Sequence, residues 1–169
     1  MKKRIFSCII LISLLLVSCG SASDYTKNTL NKDFYAGKTI YFTLNSNSLK
    51  RVSFKGPRMG FENQPNVKEV FKESIEELAL ETKLNLKFVE DFNNPSNSEL
   101  LVDVEITEIL WSFGLSVATM NTTANYNAKP NDKIYKIKGI RKSGGGSEKN
   151  NLRKSLKNAT YNFLKELEK

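Results

Sequence analysis

No histidine occurs in this chain. That absence removes the commonest general base at neutral pH, the partner of serine and cysteine nucleophiles, and the commonest zinc ligand. Cysteine is nearly absent too, with two in 169 residues, Cys8 and Cys19, both close to the amino terminus. No apolar run reaches the length of about 20 residues that a membrane-spanning helix needs. The longest runs only from Ile5 to Val17. There is no internal repeat, no heptad array and no low-complexity tract beyond Gly144-Gly145-Gly146.

What the first twenty residues do contain is ordered. Lys2-Lys3-Arg4 precedes the apolar stretch, and Leu16-Val17-Ser18-Cys19-Gly20 closes it. A basic start, an apolar stretch of roughly 7–15 residues and a small residue before the cut are the three parts of a secretory signal. The Leu-Val-Ser-Cys quartet resembles the lipobox of bacterial lipoproteins. That resemblance implies cleavage after Ser18, with residues 1–18 discarded and Cys19 as the first mature residue. It also implies a diacylglyceryl thioether on Cys19 and an acylated (for example palmitoylated) amino terminus. This covalent lipid is the only prosthetic group expected. Two or three acyl chains make a stable anchor where one binds reversibly. With Cys8 discarded and Cys19 bonded to lipid, the mature chain forms no disulfide and no cysteine metal site, so its stability rests on its core. By analogy with sorting in enterobacteria, Gly20 in place of Asp after the cysteine implies the outer membrane, and the lack of an acidic run there implies its periplasmic leaflet.

The signal carries three of the 26 basic residues and none of the 18 acidic ones, which leaves the mature chain at +5. Its 151 residues suit a single domain, able to bury roughly 68–70% of its unfolded surface. Charge is polarised along it: residues 66–110 hold eleven acids against four bases, and residues 111–169 hold twelve bases against four acids. A basic third of this kind reads first as a solvated surface, and second as a face for anionic head groups or an acidic partner.

Residues 19–37 are polar, with no apolar period before Phe34 and Tyr35, and read as a flexible tether spanning roughly 20–25 Å. The domain is then 38–169. Ile40, Phe42 and Leu44 alternate with Tyr41 and Thr43, and the pattern resumes at Arg51 to Phe54 after Asn45-Ser46-Asn47-Ser48, which predicts a hairpin. Asn66, three residues before Glu69, opens an apolar stripe of Val67, Val70, Phe71, Ile75, Leu78 and Ala79, a helix to about Thr82. Strand alternation follows at Leu84–Phe88 and Leu100–Ile106, then over 113–126 and 133–141, with turns at 93–97 and 129–132. Ser147 caps a last helix bearing Leu152, Leu156, Ala159, Phe163 and Leu167 on one face and lysines on the other. The fold class expected is α+β: a two-layer sandwich with a mainly antiparallel sheet of about five to six strands and two helices on one face.

Few constellations carry chemistry. Asp103 and Glu105 stand about 6.6–7 Å apart on one strand face, within the range of carboxyl separations in inverting glycosidases. Alternate polar residues on a solvent face explain them more simply, and no catalytic residue is assigned. Glu73, Glu76, Glu77 and Glu81 read as an exposed helix face, since hard cations need oxygens converging from a turn. No metal site is expected. Gly144–Gly146 lacks the Gly-Lys-Ser/Thr ending of a phosphate loop and reads as a linker. The basic C-terminal region, with Tyr135 and Tyr161, resembles a nucleic-acid pattern only weakly, and export argues against nucleic acid. Met59 and Phe61, in a loop flanked by Gly56 and Gly60, and the pair Trp111 and Phe113 are the candidate contact surface. Core packing is the reading favoured for both groups.

The predicted element order behind a lipobox resembles the small periplasmic lipoproteins of Gram-negative envelopes, such as the transport auxiliary lipoproteins of ABC-type systems. The likeness covers residues 38–167 as architecture and transfers no binding residue. It implies a non-enzymatic adaptor or structural subunit with an envelope protein partner. Two alternatives stand beside it: an anchored binder of lipid or another small hydrophobic ligand, with a groove at Trp111, Phe113 or Met120, and a hydrolase using Asp103 and Glu105.

Overall fold

The computed structural model describes residues 30–56, 64–92, 99–130 and 132–169. Six strands form one open sheet: β1 (Thr39–Leu44), β2 (Ser53–Lys55), β3 (Asn85–Phe88), β4 (Glu99–Phe113), β5 (Ala118–Lys129) and β6 (Lys133–Ser143). Three helices accompany them: α1 (Lys32–Tyr35), α2 (Val67–Thr82) and α3 (Glu148–Leu167). The sheet order is β3-β1-β4-β5-β6, with β2 also on β4. The α+β class expected from the sequence is the one observed, with α2 and α3 packed side by side on one face.

The sheet is mixed. β4, β5 and β6 form an antiparallel meander. β1 runs parallel to both β3 and β4, and β2 runs parallel to β4. The hairpin expected from β1 and β2 is therefore corrected, because both lie along the same edge of β4 as one interrupted strand. β1 pairs with Glu99–Val104 and β2 with Leu110–Ser112. Between them the Asn45 and Leu49 amides donate to the Val104 and Ile106 carbonyls at 2.8 and 2.9 Å. Ser48 Oγ donates to the Val104 carbonyl and accepts from the Ile106 amide. The β4 edge stays satisfied through the gap, as buried backbone polar groups require.

The strand read over 113–126 is also redrawn. β4 extends through Phe113, and the chain turns at Gly114–Val117 before β5. A register shift between Ile106 and Glu108 inserts one residue, so Val102, Val104 and Ile106 face the helices before it and Ile109 and Trp111 after it. Such a bulge changes which parity of the strand is buried.

Both long helices begin where the sequence placed them. Asn66 accepts from the Glu69 amide and Ser147 from the Asn150 amide, each satisfying one orphan donor of a first turn. The core between helices and sheet contains Phe42, Phe71, Ile75, Leu78, Trp111, Tyr126, Leu156 and Phe163, all at most 1% exposed. Phe163 stacks on Tyr126 with centroids 4.6 Å apart.

The packed domain reaches back to Leu30, which corrects the tether boundary. Tyr35, 5% exposed, donates its hydroxyl to the Leu164 carbonyl at 2.5 Å, and the Asn31 amide donates to Glu168 Oε1 at 2.7 Å. Phe34 sits edge-on to Tyr35 under the Lys38 ammonium. Residues 1–29, with the signal and Cys19, lie outside the described residues.

At the far edge α3 lies against β6. The Ile140 amide donates to Asn158 Oδ1 at 2.9 Å, and Asn162 Nδ2 donates to the Lys138 carbonyl at 3.0 Å. Two side-chain amides thus take the place of a neighbouring strand.

Candidate functional site

The residues proposed from the sequence fall in three places. Trp111 is 1% exposed and Met120, its cross-strand partner, 0%. Phe113 and Phe54 pack on Trp111 with centroids 4.6 and 6.2 Å away. Trp111 and Met120 are packed into this end of the core. The chain leaves β2 here through Gly56, at φ 99°, where a Cβ would stand 2.5 Å from the Phe113 carbonyl. Only a residue without a Cβ fits there. Met59 and Phe61 lie outside the described residues.

Beyond the aromatic cluster the β4–β5 turn protrudes. Leu115 is fully exposed and Val117 is 45% exposed. Thr39 at the start of β1 is paired with Glu99 at the start of β4, so the turn lies at the opposite end of the sheet from the point where the N-terminal segment joins. Fifteen residues of β4 at about 3.3 Å each separate the two ends by about 50 Å.

Asp103 and Glu105 lie on the sheet face turned away from the helices. Asp103 accepts from Thr43 Oγ1 at 2.9 Å and from Asn45 Nδ2 at 2.6 Å, and Glu105 accepts from Asn125 Nδ2 at 3.1 Å. Glu108, beyond the bulge, accepts from Thr123 Oγ1 at 2.7 Å. These carboxylates point along an open surface into hydroxyl and amide donors, not toward each other across a cleft. Tyr41, whose hydroxyl donates to Glu99, has its pKa raised by that hydrogen bond and lesser desolvation.

Of the acidic run on α2, Glu76 stays exposed beside Lys72 of its own helix, whereas the others are paired with the neighbouring helix. Glu69 and Glu73 meet Lys149 at 3.5 and 2.7 Å, Glu77 meets Arg153 at 3.1 Å and also Lys157, and Glu81 meets Lys157 at 3.0 Å. Residues at i and i+4 share one helix face. The two stripes join because the helices run in the same direction. The hydrogen bond that Lys149 donates to Glu73 leads the causes that raise the Lys149 pKa, whereas burial lowers that of Lys154, with Arg141 adding repulsion. Part of the charge polarity seen along the sequence is thus neutralised between two neighbouring helices.

Hollows among the described residues lie elsewhere. One of about 430 Å³ follows the exposed edge of β6 beside Asn162 and Lys165, and one of about 340 Å³ lies among Lys32, Lys38 and Lys83. Among the described residues no group of three or more acidic, histidine or cysteine side chains is arranged to hold a metal ion, and no helix is long and apolar enough to cross a membrane.

No family model and no curated protein matches the chain. Among solved structures, an uncharacterized protein is similar at 7% identity and a TM-score of 0.48, over 78% of this chain and 92% of that one. The hypothetical protein CT253 from Chlamydia trachomatis is similar at 12% identity and a TM-score of 0.39, over 77% of this chain and 93% of that one.

Proposed function

We propose that the chain is a lipid-anchored, periplasm-facing envelope lipoprotein that acts as a non-enzymatic adaptor. In this reading Cys19 carries the lipid and the domain presents its β4–β5 turn to an envelope protein. The observation that carries it is the polarity of the domain. The N-terminal segment joins at one end of the sheet, and the apolar side chains of Leu115 and Val117 stand exposed at the other. Water-exposed leucine and valine at a protruding turn suit insertion into a partner's apolar pocket. Support against hydrolysis comes from Asp103 and Glu105, whose oxygens are engaged by Thr43, Asn45 and Asn125 on an open surface. Support against a ligand carrier comes from Trp111 and Met120, which are packed as core.

The test uses the tagged full chain, extracted from membranes in mild detergent, with bound proteins and lipids identified by mass spectrometry. A stoichiometric protein that is lost from Leu115→Asp/Val117→Asp, while far-ultraviolet circular dichroism is unchanged, supports the adaptor reading. Enriched lipid without protein replaces it with the ligand-carrier reading. Cys19→Ala moves the protein to the soluble fraction; retention in the membrane overturns the anchor.

A further inference from the structure

The sheet face opposite the helices has a row pattern that neither the core nor the adaptor reading uses. Across β4, β5 and β6, successive rows on this face read Glu105–Asn125–Lys136, Glu108–Thr123–Lys138 and Leu110–Asn121–Ile140. Acids stand on the outer side of one strand, amides and a hydroxyl in the middle, and lysines on the other side. Lys136 and Lys138 are exposed, as is Ile140 at 39%. Glu105 and Glu108 reach the middle strand and, among the described residues, meet no cation.

We propose that this face binds a second copy of the chain, face to face, about a two-fold axis that runs along β5. A two-fold axis parallel to the strands keeps every residue at its height and exchanges left for right. β4 of one copy then lies over β6 of the other, and each row meets its own counterpart. Glu105 faces Lys136, Glu108 faces Lys138, and Leu110 faces Ile140, each twice by symmetry. A two-fold axis across the strands would instead set acids against acids. The pairing is isologous, the form that most dimers take. Three strands, β4, β5 and β6, about 4.8 Å apart and some 35 Å long offer about 500 Å² in projection. That is a little over half of the roughly 800 Å² per partner of a standard interface, the size of a weak, salt-sensitive dimer.

The same axis has a consequence for attachment, which rests on the anchor reading above. Because strand direction is kept, both N-terminal segments leave at one end of the dimer and both β4–β5 turns project from the other. Two anchored copies can therefore associate within one membrane, each turn remaining free.

Sedimentation of the full mature chain in detergent, with the micelle contribution subtracted, tests the proposal. The wild type is expected to sediment as a dimer that dissociates as salt rises, because exposed pairs are screened. Lys136→Glu/Lys138→Glu and Glu105→Lys/Glu108→Lys are each expected to weaken association by at least about tenfold. Mixed in equal amounts, the two variants are expected to form a heterodimer, since each presents the charge the other lacks. A monomeric wild type overturns the proposal, as does a dimer that both variants leave intact or a mixture that fails to associate. Unchanged circular dichroism shows that each variant is folded. Recovery of a partner protein, the test of the adaptor, is scored separately with Leu115→Asp/Val117→Asp, so either idea fails without the other.

Discussion

A Cβ on Gly139 would stand 2.1 Å from the backbone carbonyl oxygen of Ser155 and 2.8 Å from the Ala159 Cβ. α3 crosses β6 at this point in near backbone contact, and Ser155 uses the approach. Its hydroxyl contacts the Met120 and Gly139 carbonyls at 3.1 Å each and Thr122 Oγ1 at 3.0 Å, deep in the core. Gly139→Ala is expected to force the helix off the strand and to destabilise the fold by about 3 kcal/mol or more, at the upper end of single substitutions. Urea unfolding followed by circular dichroism measures it. A loss below 1 kcal/mol would mean that the helix shifts freely.

Trp111 provides an optical test of core against groove. As the single tryptophan, 1% exposed, it is expected to emit at short wavelength and to resist quenching by iodide. Trp111→Ala should cost about 3–5 kcal/mol, as for a large aromatic removed from a packed core. Strong quenching, or a midpoint that hardly moves, would return the aromatic cluster to the candidate ligand sites.

Lys157, 6% exposed, lies between Glu77 and Glu81 and is the most buried cation of the helix ladder. Glu77→Lys is expected to destabilise by about 1–3 kcal/mol, since it leaves like charges facing Arg153 and Lys157. Adding Lys157→Glu should restore part of that loss. The more exposed Lys149 pairs are expected to contribute little and to fade in salt. A double-mutant cycle by denaturant unfolding reads the coupling, and a coupling indistinguishable from zero would make the ladder an accident of packing.

Two tyrosines set an alkaline limit. Burial pushes the pKa of Tyr35 and of Tyr126 above the ordinary 10.0, and neither ionises in the folded chain until well past it. The unfolded chain ionises first, so their contribution is complete below pH 10 and is lost as pH rises beyond it. Melting temperature is expected to fall steeply above pH 10, with tyrosinate absorbance appearing together with unfolding. Tyr126→Phe, which removes one hydroxyl and its contact with Thr160, should flatten that fall. An unchanged alkaline slope in the variant would assign the effect to other groups.

Local signals were legible in the sequence and long-range ones were not. Asn66 with Glu69, and Ser147 before a 3.6-residue stripe, define their helices within a few residues of chain. The apolar alternation of Ile40, Phe42 and Leu44 identifies a strand, but alternation carries no information on direction, so a parallel strand along β4 looks the same as half of a hairpin. The bulge at Thr107 was hidden because Ile106 and Ile109 each fit a strand of their own parity. Glu69 and Lys149 stand 80 residues apart, and nothing near either marks the other. Leu30 to Gly37 read as a tether because two aromatics are too few to make a period, yet Tyr35 is enough to fasten it. The matched rows on the open face became visible only with the register, since Glu105 and Lys136 are separated by the whole of β5.

The two amides of Asn158 and Asn162 bear on what happens when many copies share a surface. A lipid anchor confines molecules to two dimensions and brings edges of sheets together repeatedly. An unpaired edge strand is a template for addition of further strands, and crowding would drive growth of a fibre. Here the Ile140 donor and the Lys138 acceptor are already taken by groups that end in a side chain and offer no onward partner. At these two positions the helix acts as a chain terminator for strand addition to β6, while association through the open face is closed by its own two-fold symmetry.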